Sequence, residues 1–434
     1  LDDPDSSVRS SAAVALGQMG TEAKDVIPTL INALDDPDSS VRSNAAGALG
    51  QMSTEAIPNL IEAFRNKNSE VRSGVADVFG RMGTEAKDAI PALISALDDP
   101  DSYVRFRAAD VLWRMGTEAI PNLIEAFRNK NSEVRSGAAD VLRRMGTEAK
   151  DAIPALINAL DDPDSSVRSN AAGALGQIGT EAKDAIIPAL INALDDPDSS
   201  VRSSSAGALG QIGTEAKDAI PALTAAIEDE AQNTSLRVAV ALVNVGGNPE
   251  DAIPVLIANL RTAKLRRAYY EDITIYDGDL IYRDISRYCK SNAPFIIRVF
   301  EKIGKGAVPT LATALKDRDW NIRFGAAEAL GKIGVDAKDA VTELTEVFLD
   351  SDEYTVVRYA AMQALKNIAS DEAISVIETH KEIDDAISQE GGYCQCCMLA
   401  EASSVRLATT NHIQRRPVMC RIRVIKSILR WKCF

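Results

Sequence analysis

The chain has 434 residues, of which 46% are apolar, 5% aromatic and 26% charged, and its net charge is −15. Residues 1–391 carry 62 acids and 40 bases, which argues against nucleic acid as the partner of this body, because phosphate binding is driven by Lys and Arg. No run of about 18 apolar residues offers a membrane span, and Cys289 is the only cysteine before residue 394, so the body is no disulfide scaffold and fits a reducing, cytoplasmic setting.

From the first residue the sequence copies itself. Leu1-Asp2-Asp3-Pro4 matches Leu34-Asp35-Asp36-Pro37, so the chain is expected to begin inside a repeat. Arginines of one motif stand at 9, 42, 72, 105, 135, 168 and 202, spaced by 33, 30, 33, 30, 33 and 34 residues, with counterparts at 323 and 358. Prolines track them from Pro28 to Pro309. A period in this range means stacked units that contact only their neighbours, and such a chain grows without one large core. Residues 54–102 and 117–165 match at an offset of 63, so a pair of units was duplicated as a block. The shorter copies, with TEAIPNL in place of TEAKDAIPAL, are expected to start their first helix later.

Within the unit Ile27–Gly50, the residues Ile27, Leu30, Ile31 and Leu34 recur at helical spacing and predict a first helix with Pro28 near its start. Asp36-Pro37-Asp38 supplies a capping acid, a proline of preset φ and a further carboxylate. A second helix then turns Val41, Ala45, Ala48, Leu49 and Met52 inward. Glycine inside that helix costs about 1 kcal/mol relative to Ala; its recurrence at Gly17, Gly50, Gly80, Gly176, Gly210 and Gly331 predicts a tight packing point.

On Pro28, Asp36 and Val41-Arg42, repeated at Pro91, Asp99, Val104 and Arg105 and at Pro154, Asp162, Val167 and Arg168, the sequence resembles the HEAT repeat family, in particular its phycobilisome-lyase-type repeats common in cyanobacteria. The resemblance covers about residues 1–380. It implies an all-α fold: a right-handed solenoid of about ten to eleven stacked helix pairs, whose second helices line a concave face. It also implies a structural ladder through Asp36, Arg42, Asp99, Arg105, Asp162, Arg168, Asp196 and Arg202. Asn66 and Asn129 replace the acid in the two short units, so those rungs are expected to be hydrogen bonds.

The repeats are expected to run regularly over residues 1–260, with a second helix about two residues short at Thr234–Gly246. A tyrosine-rich insertion over 261–291 includes Tyr276 and Tyr282; Asp277-Gly278 suits a hairpin turn, and a helix over Leu280–Lys290 competes with it. Repeats resume over 292–390, and Ser370–Ser388 reads as a closing helix. Residues 391–434 have no repeat period and hold five cysteines and eight bases against one acid, Glu401. This tail is read as frameshifted or non-native sequence, the alternatives being a disordered basic tail or a small metal or lipidated element.

Signals for catalysis are few. His380 and His412 lie in no ligand or nucleophile pattern, and no phosphate loop, dinucleotide fingerprint or nucleophile elbow is present. Metal-dependent hydroxylases built on these repeats carry His-Glu pairs, and this chain has none. No catalytic residue, cofactor or metal is expected. The informative positions are departures from the internal consensus. Where most second helices expose Ser, Gly, Asn or Gln, one carries Tyr103, Phe106, Arg107, Trp113 and Arg114, the composition of interface anchors. Arg81, Arg143 and Arg144 add charge on neighbouring helices. A second candidate patch comprises Trp320, Phe324, Tyr354 and Tyr359. The expected function is a non-enzymatic scaffold for a protein partner, the alternative being the phycobilin lyase or bilin chaperone role of some relatives of this repeat type.

Overall fold

The computed structural model describes residues 1–20, 25–227, 232–262, 293–384 and 387, and every regular element among them is helical. They divide into two compact units, Leu1–Val255 and the part from Leu256 onward. The insertion, with Tyr276 and Tyr282, and the C-terminal tail lie outside the described residues.

Each repeat is a helix pair. Ile27, Leu30, Ile31 and Leu34 are buried on the first helix, and Val41, Ala45, Ala48, Leu49 and Met52 on the second. Full burial of one such leucine is worth about 1.5–3 kcal/mol. The first helix is short, as in Ile90–Ser95, because its proline sits in the first turn and a 3₁₀ segment leads into it. That lead-in absorbs the difference in unit length. It runs seven residues in Gly83–Ala89 and Gly146–Ala152 but four in Ser53–Ala56 and Gly116–Ala119. The α-helix therefore does not start later in the short units; it starts at the isoleucine before proline in both kinds. One extra residue has a larger effect. With Ile186 and Ile187 in tandem, the segment becomes a continuous α-helix, Lys183–Asn192, with Pro188 inside it.

Of the two acids in Asp36-Pro37-Asp38, the second caps the helix: Asp38 accepts the Ser40 N–H at 2.8 Å. Asp36 instead accepts the Asp38 N–H at 2.9 Å and closes the turn. Most second helices end on glycine, as at Gly83 with φ 61° and ψ −133°, a conformation that a Cβ disfavours; Ser39–Gln51 runs instead into Met52 and Ser53, and Thr355–Ile368 ends on Ala369. The helix Gln232–Val245 has 14 residues, as many as Ser199–Ile212, so the expected shortening is absent. At the C-terminal end Asp371–Thr379 is a helix capped by the Ser370 hydroxyl.

The interior glycines fall into two kinds. A Cβ on Gly176 would lie 2.6 Å from the Cα of Ala208, and one on Gly17 would lie 2.8 Å from the Cα of Ala48. Those pairs are helix backbones in near contact. A Cβ on Gly50 would meet only the Arg81 Cβ at 3.6 Å, and one on Gly80 would meet the Arg114 Nη1 and Val111 Cγ2 at 3.1 and 3.2 Å. Tight packing therefore does not extend to Gly50, and at Gly80 it is made by side chains, Arg114 and Val111, rather than by backbone.

Ser205 stands where other units have alanine, as at Ala45 and Ala171. It is 0% exposed and its hydroxyl has no hydrogen-bond partner. Ser205→Ala should raise stability by about 1 kcal/mol, since a buried unsatisfied hydroxyl costs roughly that much. An unchanged or lower melting temperature would contradict it.

Candidate interaction face

Two constructions rest on the second helices: a ladder of ion pairs at their starts and a band of large side chains on their exposed side. In the ladder an arginine has up to two tasks. Its Nη1 donates to carbonyls of its own turn, as Arg42 does to Asp36 and Pro37 at 2.7 and 3.0 Å. Its Nε and Nη2 form a fork directed to the next unit. Arg9 reaches both Asp36 oxygens at 2.8 Å. Arg72 holds Asp99 at 2.6 and 2.7 Å, Arg135 holds Asp162 at 2.6 and 2.8 Å, and Arg168 holds Asp196 at 2.7 and 2.9 Å. Arg323 grips Glu353 in the same way. The acid and arginine of one unit thus belong to different rungs.

The two short units interrupt this ladder. Arg105 grips its own turn through the carbonyls of Asp99 and Pro100 at 2.6 and 3.2 Å, but neither Arg42 nor Arg105 reaches the asparagine of the next unit. The expected hydrogen-bonded rungs are therefore absent. Asn66 and Asn129 fold back to accept the N–H of Asn68 and Asn131 at 2.9 Å. Arg202 also anchors on its own turn, through Asp196 and Pro197. Closed and open rungs thus alternate from Arg9 to Arg135.

The fork stabilises the ionised acid. The hydrogen bond from Arg9 holds the Asp36 carboxyl below its ordinary value of 3.8, against the opposing effect of burial. At Asp196 burial is the largest influence and acts upward, but the hydrogen bonds from Arg168 and the Asp198 N–H, together with the Arg168 charge, outweigh it. Both carboxyls have folded values below the unfolded one. Their contribution is complete above about pH 3.8 and is lost as the pH falls through the depressed values. The melting temperature should therefore be flat near neutrality and fall below about pH 4. A fall already complete by about pH 5 would assign acid unfolding to other groups.

The band of large side chains occupies three consecutive second helices, Ser69–Met82, Ser102–Arg114 and Ser132–Met145. Tyr103, Phe106 and Trp113 are 51, 59 and 42% exposed. Helical spacing sets them on one side of the middle helix. The Arg107 guanidinium lies 5.0 Å from the Tyr103 ring centre and donates to its hydroxyl. Arg144, from the next helix, lies 5.0 Å from the Trp113 ring centre. Such cation–π contacts are worth about 0.5–1 kcal/mol at exposed sites, and they hold both rings in place.

Aspartates tie the band together, and the sequence reading passed over them. Asp77, Asp110 and Asp140 replace the glycine that stands at 47, 173 and 207. Asp77 pairs with Arg81 at 3.0 Å and with Arg107 at 3.4 Å, Asp110 with Arg144 at 3.1 Å, and Asp140 with Arg143 at 2.6 Å. The signal was a glycine-to-acid change at one register in three successive units. Arg114 is exposed and makes no ion pair within the described residues, and its guanidinium passes over Gly80.

The second patch is of a different kind. Phe324 is only 9% exposed and belongs to the core, so it presents nothing to a partner. Trp320 and Tyr354 pack on each other with ring centres 5.8 Å apart, and Tyr359 is half-buried. His380 caps the C-terminal end of the helix Asp371–Thr379, with Nδ1 2.9 Å from the Val376 carbonyl oxygen, while His412 lies outside the described residues. Among the described residues no three His, Cys, Asp or Glu side chains are grouped to hold a metal, and no helix is long and apolar enough to cross a membrane.

The family model described as HEAT repeats matches residues 1–77, 27–113, 90–156, 120–187, 187–270 and 291–377. No curated protein matches the chain. Among solved structures it is similar to Kap95p, from a study of how Kap95p binding induces the switch loops of RanGDP to adopt the GTP-bound conformation. The identity is 12% and the TM-score 0.52, over 88% of this chain and 56% of that one. It is also similar to Kap121p bound to Nup53p, at 13% identity and a TM-score of 0.51, over 92% of this chain and 44% of that one. The chain thus spans about half the length of each, and the likeness is one of fold.

Proposed function

The chain belongs to the HEAT repeat family, and on that premise we propose that it is a non-enzymatic scaffold that binds a protein partner across the second helices between Ser69 and Met145. The observation that carries this reading is the exposure of Tyr103, Phe106 and Trp113 on one helix, two of them braced by arginine. Exposed aromatics with restrained rotamers lose little entropy on burial, and this makes them effective anchors. The two proteins of similar fold are each described with a bound protein, RanGDP and Nup53p, which supports a binding role of the same general kind.

Phe106→Ala combined with Trp113→Ala should weaken capture of the partner from a lysate of the source organism by roughly 100-fold, about 2–3 kcal/mol for two anchors, while the melting temperature stays within a few degrees. Undiminished capture would remove the face from the reading. The scaffold reading as a whole would give way to a lyase if incubation with a bilin and an apo-phycobiliprotein produced a covalently coloured product.

A further inference from the structure

One row of positions narrows the partner's chemistry. At the last or next-to-last position of the second helix most repeats of the first unit carry a neutral amide: Gln18, Gln51, Gln177, Gln211 and Asn244. In three consecutive repeats that amide is replaced by Arg81, Arg114 and Arg144, and the middle one of these holds the exposed aromatics. Five arginines of this band, at 81, 107, 114, 143 and 144, face three aspartates, at 77, 110 and 140, and Arg114 in the centre has no carboxylate. The band therefore has a surplus of positive charge on a body that is otherwise acidic.

We propose that this face binds an extended acidic peptide segment whose carboxylates run along the Arg81–Arg114–Arg144 row while its apolar side chains cover Phe106 and Trp113. The proposal rests on the protein-scaffold reading and adds the chemistry of the partner. Adjacent helices stand about 8–10 Å apart, and an extended chain of polyproline II geometry advances about 3.1 Å per residue with three residues per turn. Acids at every third position therefore share one face of the peptide and come into step with the three arginines. Arg144 has one face against Trp113 and an Nη2 on Asp110, and Arg81 has its Nε on Asp77, which fixes both guanidinium groups and leaves N–H groups for a carboxylate. A polybasic segment would meet like charge here. A nucleic acid would meet the acidic body on either side.

The test uses fluorescence anisotropy with an array of labelled peptides that carry Glu at every third position and varied apolar residues between, beside the same array with Lys for Glu. Some Glu peptides should bind the full chain, more weakly as salt rises, and the Lys array should not. The triple variant Arg81→Gln, Arg114→Gln and Arg144→Gln restores the amide found in the flanking repeats and should keep the fold. It should weaken the best Glu peptide by about tenfold or more. Absence of any Glu binder, equal binding of the Lys array, tighter binding of a single-stranded oligonucleotide, or indifference to the triple variant would each overturn the proposal. Lysate capture separates it from its premise. If capture is lost in Phe106→Ala with Trp113→Ala but intact in the triple Gln variant, the scaffold reading stands and the acidic partner falls. If capture is intact in both, both fall.

Discussion

Gly176→Val is expected to destabilise the Leu1–Val255 unit by about 3 kcal/mol, the upper end of what overpacking costs. The new Cβ would stand 2.6 Å from both the Cα and the Cβ of Ala208, and the nearest atom is backbone. A flexible side-chain tip could withdraw, but a helix axis must move, and every repeat stacked on it must then repack. A β-branched residue adds a second clash because its χ1 is nearly fixed in a helix. Gly50 supplies the contrast. Its only neighbour is the Arg81 Cβ at 3.6 Å, an ordinary contact, so Gly50→Ala should instead stabilise by about 0.5–1 kcal/mol through helix propensity. Denaturant midpoints shifted in opposite directions would separate the two sites. Shifts of the same sign would mean that the two packings are alike.

Asp99→Asn should cost about 2 kcal/mol. Arg72 is 8% exposed and gives Asp99 two parallel hydrogen bonds at 2.6 and 2.7 Å. An amide offers one acceptor oxygen, so one donor of a largely buried cation is left unsatisfied, and removal of one partner costs more than the pair contributes net. The pair is assessed by a double-mutant cycle with Arg72→Gln, where a coupling of about 1–2 kcal/mol is expected. A coupling near zero would make the rung irrelevant to stability. Repeat arrays need not unfold in one step, so exchange protection of the helices Ser69–Met82 and Ser102–Arg114 is the more direct measure.

The period, the apolar stripes and the arginine ladder were legible in the sequence because each is written many times over. Single positions were harder to read. Phe106 and Phe324 occupy the same register, each directly after the ladder arginine, yet one is 59% exposed and the other 9%. Exposure there is set by what the neighbouring repeat places opposite, which alignment within one unit does not contain. The same limit explains the reassigned cap. Asp36 and Asp38 both suit a helix start, and only the incoming Arg9 fork, from another repeat, gives Asp36 its other task. The asparagine substitutions were visible, but whether an amide would meet the guanidinium depended on how far apart those repeats stand.

The interrupted ladder also has a mechanical meaning. Where a fork holds the next repeat by two short bonds, the pair of repeats resists shear and rotation as one block. Where Arg42 faces Asn66 and Arg105 faces Asn129, that strut is missing and the array can bend at lower cost. The helix Ser102–Arg114 lies directly before one such joint, and there Arg144, on Asp110 and over Trp113, ties the two repeats in place of the fork. The elasticity of this unit is thus laid down in a pattern of two repeats, duplicated along with the sequence that encodes it.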